Sequence, residues 1–176
     1  AAKFMEIVEE VRLPAGVVNY ISGSAKTGEA MVTHPKTRFI SFTGSKGVGL
    51  HINEEAAKTR PGQIWIKRVV AEMGGKDAIV VADDADLDAA ASGAVSAAFG
   101  FQGQKCSACS RLIVDEKVHD ELMANVVELT NKLVQGQPDD ASTNVAAVIN
   151  KRSFDTTMKY IAKGIEEGGE LLTGGK

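Results

Sequence analysis

Short β-rich runs alternate with helical patterns along the chain, and glycine, proline or acidic residues mark the passages between them. This rhythm constrains the fold more than any other feature. Strands separated by helices build a parallel sheet with helices on its faces. Phe4, Ile7, Val8 and Val11 share one face of a helix expected over 2–12. Leu13-Pro14-Ala15-Gly16 closes it, and Val17, Val18, Tyr20 and Ile21 predict a short strand. A brief helix is expected over 27–32, a strand over 38–42, and a helix from Thr43-Gly44-Ser45 to about Lys58, broken by Arg60-Pro61-Gly62. Strands follow at about 64–73 and 78–82, on either side of Gly74-Gly75. Asp83, Asp84 and Asp86 suit the positive end of a helix dipole and open an alanine-rich helix to Phe99. Its small residues, among them Ala89, Gly93 and Ala94, predict close packing on two sides. A glycine-punctuated loop from Gly100 to Ser110 leads to a strand over 111–114 and a helix over 116–135. A strand at 146–149, a helix over 151–167 and a strand start at Glu170-Leu171-Leu172 complete the pattern. The fold class is α/β.

Composition narrows the function. The 176 residues carry a net charge of −3, with a pI of about 5.7 and 44% apolar residues. Nucleic acids and anionic membranes call for a basic face, which this balance does not supply. No apolar run approaches the roughly 20 residues that span a bilayer, and no basic-then-apolar leader opens the chain, so a cytoplasmic protein is expected, or a mitochondrial-matrix one in a eukaryote. Two cysteines, Cys106 and Cys109, do not make a disulfide framework. His34, His51 and His119 are scattered and expected on the surface, none at ligand spacing from another histidine, so no metal is predicted. The chain opens inside a helical pattern without an N-cap residue and stops at Gly174-Gly175, which reads as an internal piece of a longer protein.

Three segments carry chemistry. Phe42-Thr43-Gly44-Ser45-Lys46-Gly47-Val48-Gly49 stands at a strand-to-helix junction, where free N–H groups attract phosphate. Its spacing is neither the dinucleotide fingerprint nor a P-loop, and taken alone a plain turn is the readier explanation. Glu72-Met73-Gly74-Gly75-Lys76 follows an apolar strand; Glu72 is either a buried base with an upshifted pKa or an edge glutamate before a turn. Gly103-Gln104-Lys105-Cys106-Ser107-Ala108-Cys109-Ser110-Arg111 sets a thiol between two cations, and nearby positive charge favours the reactive thiolate. The rival readings of this segment are an inert buried thiol, a redox dithiol and half of a zinc site. The zinc reading lacks a second ligand pair.

In order and spacing, Phe42 to Gly49, Glu72 to Lys76 and Gly103 to Cys106 resemble the F-T-G-S-x-x-x-G, E-x-G-G-K and G-Q-x-C signature of the aldehyde dehydrogenase superfamily. Leu13-Pro14-Ala15-Gly16-Val17-Val18-Asn19 resembles that family's link into a nucleotide-domain strand. The resemblance implies the second half of a doubly wound NAD-binding domain over 1–72 and the first part of an α/β catalytic domain over 73–176. It implies Cys106 as nucleophile and Glu72 as base. Gly44, Ser45, Gly49 and Glu72 would lie near NAD, with NADP left open. Gln104 to Arg111 is similar to the branch that oxidises L-glutamate γ-semialdehyde, where Lys105 and Ser107 would flank the substrate carboxylate.

The resemblance also implies a small aldehyde as partner, a homo-oligomeric parent enzyme, and family parts lying outside these residues. The isolated piece is therefore expected to neither bind NAD well nor turn over. A dehydrogenase for another semialdehyde, such as succinate or methylmalonate semialdehyde, a catalytically silent NAD-binding relative, and a thiol redox protein are the alternatives.

Overall fold

The structure is a computed structural model that describes residues 1–175. The chain divides into two compact units, Ala1–Met73 and the residues from Gly74 on.

The first unit holds α1 (Ala2–Glu10), α2 (Ala25–Thr33), β1 (Phe39–Thr43), α3 (Lys46–Ala57) and β2 (Arg68–Glu72). β1 and β2 pair in parallel from Phe39↔Arg68 to Thr43↔Glu72, with α3 as the crossover, so both strands end on one edge. Val32, Ile52 and Ala56 are buried in this unit. Lys67 is only 6% exposed; its ammonium donates to the Val32 carbonyl at 2.6 Å. Burial, aided by repulsion from Arg60, lowers its pKa.

The second unit holds β3 (Asp77–Val81), α4 (Leu87–Phe99), a 3-10 turn (Gly100–Gly103), β4 (Cys109–Val114), α5 (His119–Asn131) and α6 (Lys151–Glu166). β3 and β4 are parallel, with α4 crossing between them. Val81, Ala91 and Leu122 form its core, with Ile79, Leu112, Val126 and Leu129 packed around them. Leu122, Val126 and Leu129 lie at i, i+4 and i+7 on α5, the spacing of one buried helical face. The Asp86 carboxylate caps α4, accepting from Asp88 N–H at 3.1 Å and Ala89 N–H at 3.0 Å. Asn150 caps α6 through Ser153 N–H at 2.9 Å.

Four expected strand segments are absent or shortened. Residues 17–21 form no strand, because no hydrogen-bonded neighbour lies beside them among the described residues. Residues 64–67 stay outside β2, since the pairing begins at Phe39↔Arg68; Ile64 and Ile66 are 84% and 88% exposed. Near 146–149 the only pairing is the single bridge Gln135↔Val145, and 170–172 are irregular. Helix α5 is shorter than the 116–135 expected. It starts after a turn in which the Asp115 carbonyl accepts from Val118 N–H. Nor is α4 clamped on two sides: Ala91, Ala94 and Val95 are buried, whereas Ala89 and Gly93 are exposed. A Cβ at Gly93 would meet nothing within 4 Å. No helix among the described residues is long and apolar enough to cross a membrane. All three histidines are exposed, as expected.

Candidate active site

In the first unit Gly44 and Glu72 meet at the carboxyl ends of β1 and β2. Thr43 and Glu72 are register partners, and Gly44 N–H donates to the Glu72 carbonyl at 3.0 Å. Ser45 N-caps α3, its hydroxyl oxygen accepting from Val48 N–H at 3.4 Å, which leaves its proton free to donate outward. The N–H groups of Lys46 and Gly47 have no protein acceptor among the described residues. A Cβ on Gly47 would meet nothing within 4 Å, so the space ahead of the helix start is open.

Gly49 does different work. It is buried, and a Cβ there would come within 2.8 Å of Met73 Sδ, so its lack of a side chain sets α3 close against Phe42 and Met73. Beside α3, a cleft of about 940 Å3 is walled by residues including Gly28, Val32, Phe42, Val48, His51 and Ile52. Its lining is mainly apolar, the character of a small-molecule site. The sequence reading missed it, because Gly28 and Val32 come from α2 and meet α3 only through the tertiary fold.

Glu72 is exposed, which corrects the buried-base reading. Side chains alternate across a strand, so Glu72 shares the exposed face of β2 with Arg68 and Val70.

In the second unit the thiol follows an unusual backbone stretch. Phe101 (φ 55°), Gln102 (φ 58°) and Gly103 (φ 67°) are successive left-handed residues. Two of them carry side chains, which cost roughly 1–2 kcal/mol each in this region. At Gly103 a Cβ would also stand 2.9 Å from the Ala98 carbonyl oxygen, so glycine is required on two counts. The Gln104 side-chain oxygen accepts from Ile149 N–H at 2.9 Å and ties the loop to the segment before α6.

Cys106 is exposed, against the inert-filler reading, and its N–H has no acceptor among the described residues. Gly75 lets the backbone approach closely: a Cβ there would lie 2.8 Å from the Cys106 carbonyl oxygen. Lys105 and Ser107 are both exposed on either side of the thiol. Cys109 is the first residue of β4, its thiol donating to the Arg111 carbonyl at 3.3 Å. Ser110 is an extra residue between the pairs Asp77↔Cys109 and Ala78↔Arg111, and its hydroxyl donates to the Asp77 carbonyl at 3.3 Å. Such bulges re-aim side chains beside sites. A strand follows this Cys-x-x-Cys, where a thioredoxin-like dithiol would open a helix.

The segments that resemble the aldehyde dehydrogenase signature thus lie at a capped helix start and around an exposed thiol in parallel α/β units. The chain belongs to the aldehyde dehydrogenase family, whose model matches residues 1–176. Over 177 aligned positions it is 56% identical to the 1-pyrroline-5-carboxylate dehydrogenases of Bacillus cytotoxicus and Geobacillus kaustophilus. Those alignments cover all of this chain and 34% of each relative, so the chain spans about a third of the length of the curated relatives it matches. Among solved structures, 1-pyrroline-5-carboxylate dehydrogenase from Thermus with bound NAD matches with a TM-score of 0.94 and 43% identity. That match covers 99% of this chain and 34% of the other. The NAD-dependent aldehyde dehydrogenase from Sinorhizobium meliloti matches at 0.93 and 35% identity, with the same coverage.

Proposed function

We propose that this chain carries the nucleophile and the base of an NAD-linked dehydrogenase that oxidises L-glutamate γ-semialdehyde, the open form of 1-pyrroline-5-carboxylate, to L-glutamate in proline and arginine catabolism. The observation that carries the reading is the exposed Cys106 between Lys105 and Ser107, in a chain 56% identical to relatives named for that substrate. Residues 1–72 are assigned to the C-terminal part of the NAD-binding domain and 73–176 to the start of the catalytic domain. A cytoplasmic, homo-oligomeric parent enzyme is part of the same proposal.

The first unit fits a dinucleotide. A phosphate is suited to the open N–H groups of Lys46 and Gly47 and to the free proton of Ser45, at the positive end of α3. A flat base is suited to the apolar cleft that Gly28, Val48 and Ile52 line. Gly44 holds the helix start against Glu72, and Gly49 holds α3 close to the sheet. NAD, when bound, supplies the hydride acceptor.

In the second unit Cys106 Sγ, as thiolate, attacks the aldehyde carbon, forming the C–S bond of a thiohemiacetal. The oxyanion that develops is met by the Cys106 N–H, which has no competing acceptor among the described residues. Oxidation of this adduct leaves a thioester on Cys106. Glu72 then takes a proton from water, the hydroxide equivalent attacks the thioester carbon, and the C–S bond breaks to release the carboxylate and the thiolate. Lys105 and Ser107 hold the substrate carboxylate while its aldehyde end reaches sulfur.

The test is NADH production by the full-length protein against a panel of semialdehydes, with Cys106→Ala and Cys109→Ala. Loss in Cys106→Ala alone, with preference for glutamate γ-semialdehyde, is expected. Equal loss in both variants would point to a dithiol, preference for another semialdehyde would reassign the substrate, and no activity on any aldehyde would mark a silent relative. Ser107→Ala is expected to raise KM for a carboxylated substrate, by the equivalent of about 1–3 kcal/mol of hydrogen bonding.

A further inference from the structure

We propose that Glu29, His51 and Glu55 form a surface site for a divalent transition-metal ion of the zinc type. One donor atom from each of the three lies within 4.8 Å of the others. The helical repeat places His51 and Glu55 one turn apart on the same face of α3. Glu29 comes from α2, and its Oε2 stands 2.8 Å from His51 Nε2. An imidazole nitrogen with two carboxylate oxygens suits zinc, nickel or cobalt. Calcium and magnesium, as harder cations, favour all-oxygen shells.

The geometry leaves room for the ion's remaining ligands. The His51 and Glu29 side chains are 51% and 45% exposed, so water can complete the coordination, as in open three-ligand sites. The ion would take the place of the hydrogen bond that now joins α2 to α3. Glu55 is already engaged by Lys58 and Arg60, and this competition moderates the affinity. Lys58 also reaches Glu54 at 3.0 Å, so it keeps a partner when Glu55 turns to the metal. Spacing between histidines could not reveal this site, because it has a single histidine. The His-x-x-x-Glu pair stands on α3, whereas Glu29 is brought in only by the packing of α2.

Glu29 and His51 also line the apolar cleft, but the proposal rests on the three donor atoms and not on what the cleft binds. The test uses full-length protein without a histidine tag, stripped with chelator, its thiols blocked with N-ethylmaleimide so that Cys106 and Cys109 do not compete. Zinc is titrated by calorimetry into this protein and into His51→Ala and Glu29→Gln. A site with one zinc per chain is expected in the unsubstituted protein, weakened at least tenfold in both variants. Zinc should also raise the melting temperature of the unsubstituted protein and not that of His51→Ala. Melting curves without metal check that the variants fold. A zinc isotherm unaltered by His51→Ala, or none of one-site form in the unsubstituted protein, would overturn the proposal and leave the trio as an ion pair between helices.

Discussion

The two units place their chemical groups at opposite ends of parallel strand pairs. In the first, Gly44 and Ser45 follow the carboxyl end of β1, and Glu72 closes β2 beside them. In the second, Gly75 precedes β3, and Cys106 precedes the amino end of β4. At the carboxyl ends ordinary backbone is enough: Gly44 has no left-handed φ, and a strand simply turns into a capped helix. At the amino ends the chain arrives from α4 through three left-handed residues and enters β4 through a bulge. Presenting helix N–H groups needs only regular structure. Presenting one exposed thiol here takes irregular backbone, held by surrounding contacts.

The comparison can be broken at its most strained point. Gly103→Ala combines a left-handed φ with a Cβ 2.9 Å from the Ala98 carbonyl oxygen. It is expected to cost about 3 kcal/mol in denaturant unfolding of the full-length protein. A cost no larger than that of a helix cap would end the distinction. Gly75→Ala is expected to act on chemistry more than on stability, because its Cβ would push on the Cys106 carbonyl. The expected loss in kcat/KM is about 100-fold, the scale of a small misplacement of a reacting group.

Ser45→Ala tests the regular side. Its capping bond is long at 3.4 Å, so about 0.5–1 kcal/mol of stability is at stake, with a rise in KM for the nucleotide as the clearer sign. The smallest effect sharpens the contrast within the second unit, which also contains an ordinary turn. There the Asp140 carboxylate accepts from the Ser142 N–H at 2.8 Å and from its hydroxyl at 2.7 Å. These bonds, the backbone one foremost, lower the Asp140 pKa. A lowered folded-state pKa means stabilisation that is present above the ordinary aspartate range and lost as pH falls through the lowered value. Carboxyl titration by NMR should place Asp140 below the usual range, and Ser142→Ala should move it part of the way back.

Local patterns carried the regular half of the molecule. A strand over 38–42, found at Phe39–Thr43, a helix opening at Thr43-Gly44-Ser45 and acidic residues opening α4 were all legible, because each depends on neighbours in sequence. Residues 17–21 looked like strand by composition, yet a strand needs a neighbour that composition does not supply. Glu72 was read as a candidate buried base from the apolar run before it, whereas pleat alternation leaves it exposed. The left-handed Phe101 and Gln102 gave no signal, since neither residue type favours that conformation. Cys106 drew its sequence-level warrant from the order of three motifs. The structure adds the close approach of Gly75 and a backbone N–H without an acceptor among the described residues.

The central claim is that Cys106 forms the covalent intermediate and Glu72 releases it. The most direct measurement is peptide mass spectrometry of the full-length Glu72→Gln variant, quenched during turnover with NAD and glutamate γ-semialdehyde. An acyl group should be found on Cys106, localised by fragmentation to that residue and not to Cys109, and absent in Cys106→Ser. An acyl group on Cys109, or no covalent adduct in a variant that still consumes substrate, would contradict the account.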